Sequence, residues 1–95
     1  MVENLFDTKK EIINKLKNAE DRLAQAKADL KQEENELWLN TPFKELGYTN
    51  DDTRRAYVNH ETNDLRVEEE LIRNEVTQLK RELNLCDDKI KLFSF

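Results

Sequence analysis

Apolar residues recur every seven positions through the first part of the chain. Two interleaved series alternate at spacings of three and four, which is the pattern of a helix with an apolar seam. Lys9 and Glu33 interrupt the pattern, and each has an aliphatic stem long enough to cover the seam while its charged head reaches water. We expect a helix over about residues 3–40. The two series are Leu5, Ile12, Ala19 and Ala26, and Leu16, Leu23, Leu30 and Leu37.

The second part of the chain repeats this arrangement. Thr62 and Glu69 weaken its seam, but five heptads are present. Asn50 or Thr49 is suited to cap the start of a helix, and the acidic residues that follow lie at the positive end of the helix dipole. We expect a helix over about residues 50–92. Its two series are Val58, Leu65, Ile72, Leu79, Cys86 and Phe93, and Val76, Leu83 and Ile90.

A structured turn, residues 41–49, joins these two helices. Pro42 is suited to the first position of one helical turn, and Gly47 is suited to end it. Connections this short favour antiparallel neighbours. The sequence therefore predicts an all-α fold, a long antiparallel helical hairpin of the coiled-coil type, as a single domain over residues 1–95.

The two seams fit a single register. Residues whose numbers sum to 95 place one seam position opposite another, as in Leu16 with Leu79 and Ala19 with Val76. Large residues then face small or branched ones, which lets the layers interdigitate. The same register is satisfied if helices are exchanged between two chains, so intrachain and swapped pairing both remain open.

Two layers near the turn fit this register poorly. Ala26 faces Glu69, and Glu33 faces Thr62. We expect this half to be the looser one. Ordinary tolerance of polar residues and entry of a partner at this point are both open interpretations.

Further apolar residues lie outside the seam, mostly toward the end where the termini meet. Helix pairs with a broad apolar face tend to bury it by self-association. We expect a homodimer or a higher homo-oligomer, in a four-helix arrangement. The residues predicted for oligomerisation are Phe6, Ile13, Leu85, Leu92 and Phe93.

Composition limits the class of function. Charged residues make up 39% of the chain, with 21 acidic and 16 basic residues and a net charge of −5. The halves before and after Tyr48 are both acidic, which disfavours a nucleic-acid-binding surface. The single cysteine, Cys86, and the lack of an apolar leader predict a cytoplasmic location, and we expect no membrane partner.

Candidate catalytic residues are sparse. Cys86 occupies a seam position, and no glycine-rich loop could hold a phosphate. His60 with Glu61 and Asp64 is a weak metal motif, since surface pairing on a helix gives the same spacing. We expect neither an enzyme nor a bound cofactor or metal.

Basic and aromatic residues cluster about the turn, a region we call the tip (residues 38–57). They either pack against one another or form a contact surface for a protein or for single-stranded nucleic acid. A separate possibility, for the chain as a whole, is that its acidic surface imitates nucleic acid. The residues predicted to bind a partner are Trp38, Phe43, Lys44, Tyr48, Arg54, Arg55 and Tyr57.

The tip resembles the central segment of short coiled-coil early proteins from phages and prophages of low-GC Gram-positive bacteria. The shared pattern covers about a fifth of the chain and is carried by Trp38, Phe43, Lys44, Leu46, Thr49, Asn50, Arg55, Ala56, Tyr57 and Val58. The resemblance implies genes near recombination and replication functions, and it brings no catalytic residues.

A rigid hairpin with a distinctive tip is suited to occupying the surface of another protein. We therefore expect a non-enzymatic protein that binds and modulates or inhibits a host or phage protein in defence, replication or recombination. The alternatives are an accessory protein for single-stranded nucleic acid in phage recombination and a purely structural assembly spacer.

Overall fold

The computed structural model describes residues 2–93, with side chains from residue 4 onward. These residues form three α-helices and no strand: α1 (Val2–Asn40), α2 (Asp51–Glu61) and α3 (Asn63–Phe93). The predicted all-α hairpin fold is confirmed. The chain divides into two compact units, unit 1 (Met1–Leu23 and Leu71–Phe95) and unit 2 (Ala24–Glu70), each described separately below. The single-domain organisation stays a prediction.

The core of unit 1 is the predicted aliphatic seam. Ala19, Val76 and Leu79 are buried together, and Leu16 and Leu23 pack against them. This cluster contains two of the predicted layers, Ala19 with Val76 and Leu16 with Leu79. Because Ala19 is fully buried and small, the branched side chain opposite it fits without displacing either helix. Burying a valine or leucine side chain stabilises a fold by about 1.5–3 kcal/mol, so these layers hold α1 to α3.

Polar contacts in unit 1 show that its two helices are antiparallel and come from one chain. Lys9 Nζ lies 2.7 Å from Asp87 Oδ1, and an Arg22 guanidinium nitrogen lies 2.7 Å from Glu75 Oε1. Residue numbers therefore rise along α1 as they fall along α3. Lys9 is half-buried, as expected for a stem that covers the seam while its ammonium reaches a partner at the edge.

Unit 2 contains a break in the helix that the sequence predicts as continuous over residues 50–92. The helix stops at Glu61 and resumes at Asn63. Thr62 lies at the break, and its Oγ1 donates a 2.8 Å hydrogen bond to the Val58 carbonyl, which also accepts the Thr62 N–H at 3.0 Å. Thr8 and Thr77 make the same hydroxyl-to-carbonyl bond within unbroken helices, so this bond alone does not account for the break. The helix predicted over about residues 50–92 is divided into α2 and α3 at Thr62, whose side chain is buried.

The polar layer at Thr62 is closed and fully hydrogen-bonded. Thr62 is 0% exposed, and its Oγ1 accepts a 3.1 Å hydrogen bond from Arg66 Nε. A second nitrogen of Arg66 donates to Glu34 Oε1 at 2.6 Å. No buried side-chain nitrogen or oxygen in the described residues lacks a hydrogen-bond partner. The Thr62 layer, which the register predicts to fit poorly, therefore has its hydrogen bonds completed by Arg66 and Glu34, beside the seam. That this half is the looser one stays a prediction.

Candidate functional site

A single helical turn, closed by a glycine, forms the end of unit 2. The Leu46 N–H donates to the Pro42 carbonyl at 3.2 Å, so one turn of helix forms after Pro42. The Gly47 N–H then donates to the Lys44 carbonyl at 3.2 Å, and the Tyr48 N–H donates to the Phe43 carbonyl at 2.9 Å. This pair of bonds is a Schellman motif, and Gly47 supplies the left-handed conformation that it requires, with φ of 85°. The predicted role of Gly47 is confirmed.

The chain enters α2 through a capped N-terminus. Asn50 has an extended backbone, and its Oδ1 accepts a 2.9 Å hydrogen bond from the Thr53 N–H. The hydroxyl of Thr53 donates back to the Asn50 carbonyl at 3.0 Å. Asn50 is thus the N-cap, one of the two residues that the sequence proposes. The two caps, at Gly47 and Asn50, fix the path of the chain on both sides of Tyr48.

Aromatic rings fill the space between the turn and the helices of unit 2. The Phe43 ring is buried at 8% exposure and makes a perpendicular contact with Tyr57, with ring centroids 6.1 Å apart. The Trp38 and Phe43 rings lie 5.5 Å apart, and the Tyr48 and Tyr57 rings 5.3 Å apart. Such pairs stabilise by about 0.5–1.5 kcal/mol beyond their burial. The cluster therefore acts as the core of the tip.

Arg54 belongs to this core, although the sequence predicts it as a contact residue. Its Nε donates a 3.0 Å hydrogen bond to the Tyr48 carbonyl, and its guanidinium carbon lies 5.6 Å from the centre of the Phe43 ring. The first contact ties the turn to α2, and the second is a cation–π interaction. Arg54 is half-buried, so its charge is engaged in holding the tip together.

The remaining predicted contact residues, Trp38, Lys44 and Arg55, are exposed. Two leucines accompany them, since Leu39 is 83% exposed and Leu46 is about half exposed. Sequence reasoning missed both leucines, although Leu39 lies off the heptad seam, a signal that could have identified it. We call these five residues the outward tip set. The predicted site thus separates into a core (Phe43, Tyr48, Arg54 and Tyr57) and an exposed set.

An open cleft beside the tip core is lined by side chains of α2 and of the turn. They are Tyr48, Thr53, Ala56, Tyr57 and His60.

The weak metal motif of His60, Glu61 and Asp64 spans two helices. His60 is exposed at the last turn of α2, and Asp64 lies beyond the break at Thr62 in α3. The described residues contain no group of three or more residues of metal-binding type.

Charge is distributed unequally between the two units. Unit 2 has 12 acidic and 6 basic residues, giving a net charge of −6, whereas unit 1 has 9 acidic and 10 basic residues, giving +1. Division of the sequence at Tyr48 gives two similar acidic halves because each half contains part of the acidic central stretch, residues 24–70, and one of the two ends that make up unit 1.

The residues predicted for oligomerisation all lie in unit 1 and are exposed. Phe6, Ile13, Leu85 and Leu92 are off the seam, each with 45% or more of its surface in solvent. Phe93 occupies a seam position but is 52% exposed, so its ring does not close the end of the seam.

No helix in the part of the chain that the structure describes is long and apolar enough to cross a membrane. Comparison with known proteins identifies no relative, since no family model, no curated protein and no solved structure matches this chain.

Proposed function

We propose that this chain is a non-enzymatic, phage-type coiled-coil protein of the bacterial cytoplasm, and that it binds and modulates or inhibits a host or phage protein through the outward tip set. The observation that carries the proposal is a hydrogen-bonded tip in which Leu39 is 83% exposed, Leu46 51% and Trp38 40%. Protein interfaces are enriched in tryptophan and arginine anchors surrounded by apolar contacts. The resemblance of the tip to phage early proteins supports the same class of partner.

The tip is suited to binding because contacts within it hold its backbone. The Schellman turn, the Asn50 cap and the Arg54 contacts each restrict the backbone that presents these side chains. Ordering a loop on binding lowers affinity, and a preorganised loop avoids this cost.

Binding of single-stranded nucleic acid is the weaker candidate. Stacking with bases needs free aromatic faces, but Tyr48 and Tyr57 pack on each other and Phe43 is buried, which leaves Trp38 as the exposed ring of the tip. The tip has three acidic residues, Glu45, Asp51 and Asp52, against three basic ones, so it lacks the net positive charge that phosphate binding needs.

A pull-down from a Gram-positive cytosolic extract tests the proposal. The test variant carries Leu39→Ala, Lys44→Ala and Arg55→Ala, which remove exposed side chains of the outward tip set and leave the aromatic contacts and Arg54 in place. The matched control carries Lys27→Ala and Lys31→Ala, exposed cations on α1 in the same unit. Circular dichroism of each variant checks that the helices remain.

The expected result is a stoichiometric protein that the intact chain and the control retain and that the tip variant loses. Recovery that depends on nucleic acid, and that nuclease treatment abolishes, would instead support the accessory role. Equal recovery by all three proteins would exclude the outward tip set as the contact surface and favour the spacer.

A further inference from the structure

The exposed apolar residues of unit 1 lie on two opposite flanks of its helix pair. In an antiparallel pair, heptad positions e of both helices meet on one side, and positions g meet on the other. The ion pair of Lys9 and Asp87 marks the e side, and that of Arg22 and Glu75 marks the g side. Any single helix pair therefore exposes both sides to possible partners.

The e side, with the neighbouring b positions, carries Phe6 and Ile13, both about half exposed. We call it the lysine flank, because its described residues include five basic and two acidic side chains, and one of the acidic ones, Asp87, is already paired with Lys9. The basic residues are Lys10, Lys17, Arg73, Lys80 and Lys91.

The g side, with the neighbouring c positions, carries Leu71, Leu85 and Leu92, each at least 60% exposed. We call it the leucine flank. Leu85 also lines a groove between the two helices, together with Leu5, Ile12 and Cys86 of the seam and with Thr8, Glu82 and Lys89 at its edges. The leucine flank has three acidic residues, Glu11, Glu75 and Glu82, and three basic residues, Lys15, Arg22 and Lys89.

We infer that copies of this chain associate heterologously, with the lysine flank of one copy packed on the leucine flank of the next. The apolar residues match in spacing, because Phe6 and Ile13 are seven residues apart, as are Leu85 and Leu92. Seven residues of helix span about 10.5 Å, so both strips repeat at the same distance.

Charge and coverage both select this pairing over a two-fold dimer. A two-fold contact uses the same surface on both copies. Through the lysine flank, it would bring two basic surfaces together. Through the leucine flank, it would leave Phe6 and Ile13 in solvent. The heterologous contact covers both strips and places the basic lysine flank against a flank whose acidic and basic residues are equal in number, so two basic surfaces do not meet. It replaces the homodimer expected from sequence with an open series of copies, and it does not depend on the function of the tip.

Two flank variants of the full chain test this inference by sedimentation velocity. One carries Phe6→Gln and Ile13→Gln, and the other carries Leu85→Gln and Leu92→Gln. We expect the mean mass of the unmodified chain to rise with concentration beyond that of two copies. Each variant alone should sediment as one chain, and an equimolar mixture should form a one-to-one pair and stop there, since each partner supplies the flank that the other lacks.

Either of two other outcomes would overturn the inference. If one variant associates as the unmodified chain does while the other is a monomer, the interface is two-fold and uses one flank. If the unmodified chain sediments as one copy at every concentration, neither flank binds a second copy. Circular dichroism establishes folding, and the milder pair Ile13→Ala and Leu85→Ala repeats the test if a glutamine variant unfolds.

Discussion

In each unit an earlier part of the chain packs against a later part, but different kinds of contact stabilise unit 1 and unit 2. Unit 1 repeats one kind of aliphatic layer, as in Ala19 with Val76 and Leu16 with Leu79. Unit 2 also buries the seam residues Leu30 and Val58, but it adds local devices that occur once, namely the buried Phe43, the glycine-closed turn and the Thr62 layer. A repeated seam spreads stabilisation over many residues, whereas local devices concentrate it in a few. Single substitutions should therefore affect the two units differently.

The largest effect is expected for Phe43→Ala in unit 2. The Phe43 ring contacts Trp38, Tyr57 and Arg54, so its removal leaves a cavity at the centre of the tip. Truncation of a buried phenylalanine costs about 3–5 kcal/mol in the free energy of unfolding. Chemical denaturation measures this, with Phe43→Leu as a control that keeps most of the apolar volume. A loss no larger than that of the control would show that the tip has no concentrated core.

In unit 1, Leu79→Ala should destabilise by about 2–5 kcal/mol. Leu79 is buried in the main aliphatic cluster. The matched control is Leu85→Ala on the same helix, where the side chain is 60% exposed and the expected change is within about 0.5 kcal/mol. Both are measured by denaturation at a concentration where the chain sediments as one copy. Similar losses at the two positions would contradict the assignment of the seam.

A smaller effect is expected at Gly47. With φ of 85°, Gly47 occupies the left-handed region, and no atom lies within 4 Å of where a Cβ would be built. Gly47→Ala therefore adds backbone strain without a steric clash, and it should cost about 1–2 kcal/mol. Gly47→Asn should cost less, because asparagine tolerates this conformation better. Thermal unfolding of both variants gives the comparison, and an alanine variant as stable as the natural chain would exclude the left-handed turn.

The smallest expected effect is a difference in coupling energy between two ion pairs, one in each unit. Arg22 with Glu75 in unit 1 is exposed, and such pairs contribute about 0.2–1 kcal/mol. Arg66 with Glu34 in unit 2 is less exposed, and Arg66 also donates to Thr62. Double-mutant cycles with alanine should give a larger coupling energy for Arg66 and Glu34. Equal couplings would show that the Thr62 layer adds nothing to the pair.

Much of the tip could be read from residue types with strong local preferences. Pro42, Gly47 and Asn50 each have a backbone role that depends on few neighbours, and the sequence predicts all three correctly. Which side chains of the tip are buried and which are exposed could not be predicted in this way. Phe43 and Trp38 are both aromatic residues near a turn, and only the packing of Phe43 beneath Tyr57 and Arg54 makes it core.

The sequence by itself determined two long helical segments, the seam and the antiparallel register, because a seven-residue apolar repeat marks one face of each segment and a turn this short brings the two faces together in antiparallel orientation. Tertiary structure decided what depends on residues distant along the chain. The break at Thr62 arises where its hydroxyl and Arg66 satisfy a buried polar layer together with Glu34. The acidic character of unit 2 belongs to one continuous stretch, residues 24–70, so the sequence contains it; the fold decides only that this stretch forms a unit of its own.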